Sequence, residues 1–255
     1  MQRLSWDTFT RAALCSLALA CVPAKGQNPP APQILVMTTT TIKPDMRAAY
    51  EAYQKEITAI YKKAGVPMRS VWQTVLGDLT EYVSVYPIQD FGAFDGPTPV
   101  AKVVGQEKAT ELLKRAGQYL TSVHRGILFA QPDLSILPKE GGGPTQSGYA
   151  VIEQLVPTAG RSGDLEHWIK TEAVPADRQG GAKQLWTYQA LFDGAPSYVF
   201  VYPLDNMAAL NAGPPAWKMD GGRAAAEKMA GRLNGIVSAE KLSISQYRAD
   251  LSYQQ

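Results

Sequence analysis

Two hydrophobic periods alternate along this chain. Residues 33–41 (QILVMTTTT) are rich in β-branched side chains and predict a strand. Pro44 and Asp45 then open a helix whose apolar positions Met46, Tyr50, Tyr53, Ile57, Ile60 and Ala64 recur at helical spacing, with Gly65 as the stop. Residues 69–76 and 79–86 alternate with period two around Gly77-Asp78, which predicts a hairpin. Residues 91–99 read as loop. A second helix carries Ala109, Leu112, Leu113, Ala116 and Leu120 on one face, and residues 123–130 form a fourth strand. The order is βαββαβ, a ferredoxin-like split pattern.

The same order then begins again. Residues 149–156 predict a strand and residues 164–173 a shorter helix with Leu165, Trp168, Ile169 and Ala173. A hairpin of residues 185–192 and 197–202 turns at Asp193-Gly194, followed by a helix with Ala226, Met229, Ala230, Leu233 and Val237, and a strand at 242–247. Residues 72–87 (WQTVLGDLTEYVSVYP) and 188–203 (YQALFDGAPSYVFVYP) align without a gap, with Gln73, Tyr82, Val83, Val85, Tyr86 and Pro87 identical to their counterparts. A lone four-stranded sheet with both helices on one face would leave a broad apolar face in water. The expected architecture is therefore α+β: two tandem ferredoxin-like units, residues 33–135 and 149–252, packed sheet to sheet as an intrachain α+β barrel. Residues 136–148, dense in Gly and Pro, would link them.

The segment IKPDMRAAYEAYQKEI and the run GVPMRSVWQTVLGDLTEYVSVYPIQDF resemble the dimeric α+β-barrel superfamily, and within it the NIPSNAP-type domains. The shared features are a Lys-Pro helix start, an aromatic helix face, a tryptophan strand, a Gly-Asp hairpin and a strand ending in an aromatic residue. The resemblance implies the barrel. Its relatives include cofactor-free oxygenases and haem-handling enzymes, so haem is left open although no cofactor is predicted.

Composition adds a compartment. Arg3 and Arg11 flank the short apolar run 12–22, and Ala24 and Gly26 suit signal cleavage before Gln27. Residues 1–26 are thus expected to direct export to the periplasm or the exterior, with 27–32 a proline-rich spacer and no membrane helix after cleavage. Cys15 and Cys21 both fall in this leader, and Cys21 as a lipidated anchor is the alternative to a freely exported chain. The remaining chain carries no cysteine and 22 residues of each charge sign, which gives nucleic-acid binding no support. Two units in one chain would form a pseudo-dimer, with the protein itself a monomer.

Candidate chemistry follows from the hairpins. A two-residue turn pairs Gln73 with Tyr82 and Trp72 with Val83, so Gln73, Tyr82, Ser84 and Tyr86 share one face and Trp72, Val83 and Val85 the other. If the valine face receives the helices, the barrel interior is lined by Gln73, Tyr82, Tyr86, Gln189, Tyr198 and Tyr202, the ligand-binding candidates. Equally, these tyrosines could simply pack. His124 is the candidate acid–base group, while His167 is expected to face solvent. No metal-ligand spacing, nucleophile elbow or phosphate-binding loop is present. Trp217, in a proline-rich loop, could cover the barrel mouth or cap the core. The expected function is binding of a small apolar or aromatic molecule. The alternatives are a cofactor-independent oxygenase or isomerase, and a purely structural or assembly module.

Overall fold

A computed structural model of the chain describes residues 34–138, 147–192 and 194–255. The leader, the spacer, both cysteines, linker residues 139–146 and Asp193 of the second hairpin lie outside the described residues. The first half runs β1 (Ile34–Ile42), α1 (Arg47–Lys63), β2 (Met68–Leu76), β3 (Glu81–Ile88), α2 (Pro99–Val104), α3 (Gln106–Tyr119) and β4 (Leu120–Ala130). The second runs β5 (Tyr149–Pro157), α4 (Ser162–Trp168), α5 (Val174–Gln179), β6 (Trp186–Leu191), β7 (Ser197–Leu204), α6 (Gly222–Ala230) and β8 (Val237–Tyr247).

Three boundaries differ from expectation. The segment 91–99 is not all loop: a 3-10 turn covers Phe91–Phe94, and Thr98 caps α2 by accepting a hydrogen bond from the Ala101 N–H. The helix beginning at Ser162 continues to Gln179 through a π-helical turn at Ile169–Ala173. Pro175 follows that turn, whose wider winding accommodates a residue with no N–H to donate. Finally, Leu120 and Val237 continue a helical apolar spacing yet begin strands. In the second case a 3-10 turn and Gly235, at φ 77°, end the helix first.

The strands of each half pair in the order β4-β1-β3-β2 and β8-β5-β7-β6. Antiparallel pairing of β4 with β6 and of β2 with β8 then joins the halves, so eight strands close into a barrel. The sheets therefore meet along their edges and do not stack as separate layers. Closure gives edge N–H and C=O groups partners that neither half supplies alone. Following the antiparallel pairings around the ring, β1 and β5 run in the same direction, so corresponding positions of the two halves lie at the same end.

Three apolar clusters fill the molecule. Tyr50, Tyr53, Ile57 and Ile60 of α1 and Leu112 of α3 pack with Val36, Val71, Tyr82 and Tyr86 outside the barrel. Leu165, Trp168, Ile169 and Val174 do the same with Leu155, Tyr198 and Phe200. The third cluster, with Leu35, Met37, Trp72, Leu128, Tyr188, Val199 and Val201, is the barrel interior.

Under the second helical layer Asp177 is buried and Glu153 half-buried. Asp177 accepts a hydrogen bond from the Tyr202 hydroxyl at 3.1 Å. Burial raises its pKa to about 6, and burial together with the Glu240 and Asp177 charges raises that of Glu153 to about 7. The native state thus keeps protons that the unfolded carboxyls release near pH 4, so stability falls as pH rises from about 4 to about 7. In urea titrations at pH 4.5, 6 and 8, the Asp177→Asn/Glu153→Gln variant should lose most of that decline. A pH slope equal to that of the wild type would show that these groups do not cause it.

Candidate functional site

The barrel encloses a cavity of about 360 Å³. Its walls come from alternate residues of the strands, and they change character along the barrel axis. Leu35, Met37, Trp72, Val85, Leu128, Ile152, Tyr188 and Val201 make one end largely apolar, with Ser243 and Ser245 as its polar members, and Val83 and Val199 stand beside Thr39 and Gln154. Toward the other end come Thr39, Thr41, Glu81, Ser122, His124, Gln154 and Lys241. The register fixes this gradient: His124 stands opposite Thr39 and Ser122 opposite Thr41, while Lys241 stands opposite Gln154.

The two faces of the hairpins are the reverse of the expectation. The predicted pairs are present, Gln73 with Tyr82 and Gln189 with Tyr198. However, Gln73, Tyr82, Tyr86, Gln189, Tyr198 and Tyr202 do not line this cavity; they lie on the outward side of the strands. Tyr82 donates to Glu51 of α1 at 2.6 Å, and Tyr198 donates to Glu166 of α4 at 3.0 Å. Tyr86 meets Tyr61 edge-on, with centroids 5.0 Å apart. Gln73 accepts from Arg248, which also grips Glu51 with both terminal nitrogens at 2.5 and 2.9 Å. The Arg248 guanidinium holds the Glu51 carboxyl below its usual range. Under a helix a phenol needs an acceptor, and these helices supply carboxylates. The inward face carries Val83, Val85, Val199 and Val201 together with the larger Trp72 and Tyr188.

His124 is the one sequence candidate that lines the cavity. It is exposed at the polar end of β4, whereas His167 lies exposed on α4. Four strands around the ring, on the opposite wall, stands Lys241 of β8. Its Nζ lies 2.5 Å from the Glu81 carboxylate, which also accepts from Thr74 Oγ1 at 3.3 Å. Glu81 is only 8% exposed, while the Lys241 side chain is 52% exposed, so this ion pair joins the barrel wall to the solvent-facing mouth. Deeper in, burial raises the pKa of the Tyr188 phenol. Sequence reasoning missed Glu81, Lys241 and Tyr188. Lys241, Ser243 and Ser245 alternate with Leu242 and Ile244, a pattern that by itself reads as a solvated polar face. Trp217 is not part of the cavity wall: it packs on Gly213, under the Arg223 guanidinium at 4.4 Å.

A haem does not fit here. The cavity is at the small end of ligand sites, and of the two described histidines one stands at its mouth and the other outside the barrel. Among the described residues no group of three His, Cys, Asp or Glu could hold a metal, and no helix is long and apolar enough to cross a membrane.

No protein-family model and no curated protein matches the sequence. Solved structures do match. An anthrone oxidase-like protein superposes with a TM-score of 0.64 at 14% identity, covering 88% of this chain and 94% of its own. A Fusobacterium nucleatum protein provisionally classed as a monooxygenase gives 0.54 at 13%, covering 88% and 99%. A mutant chlorite dismutase from Candidatus Nitrospira defluvii gives 0.51 at 9%, covering 86% and 92%. At these identities the likeness shows the fold, a ferredoxin-like α+β barrel.

The Glu81–Lys241 pair carries a stability prediction. Lys241→Met leaves a buried carboxylate without its cation and should cost about 1–3 kcal/mol in urea denaturation, while Glu81→Gln/Lys241→Met should recover most of that loss. Additive effects of the two changes would mean that the pair does not couple.

Proposed function

We propose that this protein is a cofactor-independent oxygenase acting on a small aromatic substrate that carries an acidic C–H bond. The observation that carries the reading is the barrel cavity, apolar and aromatic at its base with His124 and the Glu81–Lys241 pair at its mouth. The names of similar structures, an anthrone oxidase-like protein and a protein provisionally classed as a monooxygenase, point the same way. They overturn the expectation of a non-catalytic binding protein in favour of its oxygenase alternative. A cavity of about 360 Å³ also exceeds what a purely structural interface requires.

Without a metal or flavin, the organic substrate must itself supply electrons to O2, and a stabilised carbanion can do so. In this scheme a ring nitrogen of His124 takes the proton from a CH2 group flanked by aromatic rings. The Lys241 ammonium offsets the charge that develops on the conjugated oxygen. The carbanion electrons reduce O2 and a C–O bond forms, with a proton completing a hydroperoxide. Loss of the second C–H proton with O–O cleavage yields the ketone and water, so R2CH2 and O2 become R2CO and H2O. The apolar base, with Trp72 and Tyr188, keeps the rings out of water.

We further propose that the two halves descend from one duplicated unit. The gapless match of residues 72–87 to 188–203 and the corresponding strand orders support this. The Lys-Pro helix start and tryptophan strand liken the first half to NIPSNAP-type domains. Export of a monomeric chain, through the leader pattern at 1–26, belongs to the same proposal.

Oxygen uptake with anthrone, by protein stripped of metals and flavin, tests the main reading. His124→Gln should lower kcat/KM about 100-fold and Val199→Trp, which fills the cavity, should abolish turnover. Tyr82→Phe, altered outside the barrel, should leave the rate unchanged. Equal rates in wild type and in both cavity variants would sink the assignment.

A further inference from the structure

A second cavity, of about 240 Å³, lies outside the barrel between the end of α1, the end of β3, and α2 with the segment preceding it. Three of its wall residues are Pro67, Pro87 and Pro99. Their rings are apolar, their φ angles are fixed and they carry no N–H, so this part of the wall is rigid and has few donors. The N–H groups of Gly65 and Val66 are already turned back onto the carbonyls of Lys62 and Tyr61. The Thr98 hydroxyl is engaged in capping α2. The charged lining groups are two cations, Lys102 and Arg125, and both residues are exposed. Among the described residues neither forms an ion pair with a carboxylate, and the nearby Asp90 carboxylate accepts from the Gly92 N–H. The buried Tyr86 phenol completes the wall.

A rigid apolar trench rimmed by two cations without ion-pair partners among the described residues is complementary to a short apolar body that ends in one negative charge. We propose that this trench is a second binding site, separate from the barrel, for a small monoanionic amphiphile such as an alkyl carboxylate. Its apolar part lies against the prolines and Tyr86, and its carboxylate lies between Lys102 and Arg125. Arg125 presents a planar fork suited to a carboxylate, while Lys102 acts as a point charge. This site stands whether or not the barrel is an oxygenase.

Octanoate is the probe, titrated into uniformly 15N-labelled full-length protein, with octan-1-ol as the uncharged control. Octanoate should shift amides of residues 64–66, 86, 88, 93–96, 98 and 100–102. Octan-1-ol should bind there at least about tenfold more weakly, as should octanoate to the Lys102→Gln/Arg125→Gln variant, both changes being at exposed side chains. Shifts confined to barrel residues, or equal affinity for octan-1-ol, or undiminished octanoate binding by the double variant would each overturn the proposal.

Discussion

The pairing of β4 with β6 and of β2 with β8 is the constraint on which everything else in this molecule depends. Without those two seams each half is an open four-stranded sheet with free edges, and Leu35, Trp72 and Tyr188 face water. With them, the buried strand residues divide between the barrel interior and the helical layer. The division is strict because side chains alternate with period two, so a slip of one residue would exchange the two populations. The bulge between Thr74 and Leu76, where β2 meets β8, is one of the few places where the ladder departs from regularity.

That same alternation explains what could be read from the sequence. The register of both hairpins was legible because a turn with its centre at residues 77–78 or 193–194 leaves one pairing, and Gln73–Tyr82 and Gln189–Tyr198 are the observed partners. Which face would turn inward was not legible, since alternation shows only that Tyr82 and Tyr86 share a side. The missing cue lay on other elements. Glu51 sits beside Tyr50 in the apolar stripe of α1, and Glu166 sits beside Leu165 in α4; each accepts from a strand tyrosine. Buried phenols favour such acceptors, and the helices supply them to Tyr82 and Tyr198. Helix ends were also overrun, because Leu120 and Val237 fit the helical spacing while belonging to strands that need long, regular edges to close the ring.

The interior combines two environments that ordinary cores keep apart. At the apolar end Trp72 meets the ring of Tyr247 at 5.3 Å, and the surrounding aliphatic side chains exclude water. At the polar end a nearly buried carboxylate is held by a lysine that reaches solvent. A charged pair in that position sets a local field at low dielectric, where it acts more strongly on a bound molecule than a surface pair would. The helical layer contributes differently: Arg248 ties the end of the chain to Glu51 and Gln73, and so braces β2 from behind without touching the cavity.

The mouth of the barrel departs from the symmetry of its walls, and that departure matters more for chemistry than the symmetry does. Thr39 with His124 and Gln154 with Lys241 occupy corresponding places in the two ladders, yet one place carries an imidazole and the other an ammonium. Likewise Glu81 is bound by Lys241, whereas Ser197, at the corresponding end of β7, accepts from Gln154 Nε2 at 2.8 Å. A mouth with two identical walls would hold a ligand with one polar edge equally well in two orientations, half a turn apart. Such a mouth could not present one particular carbon to a base and the conjugated oxygen to a cation at the same time. The charged wall and the imidazole wall remove that degeneracy. A single bound orientation is the condition under which positioning lowers a barrier, because the reacting groups then meet without a further search.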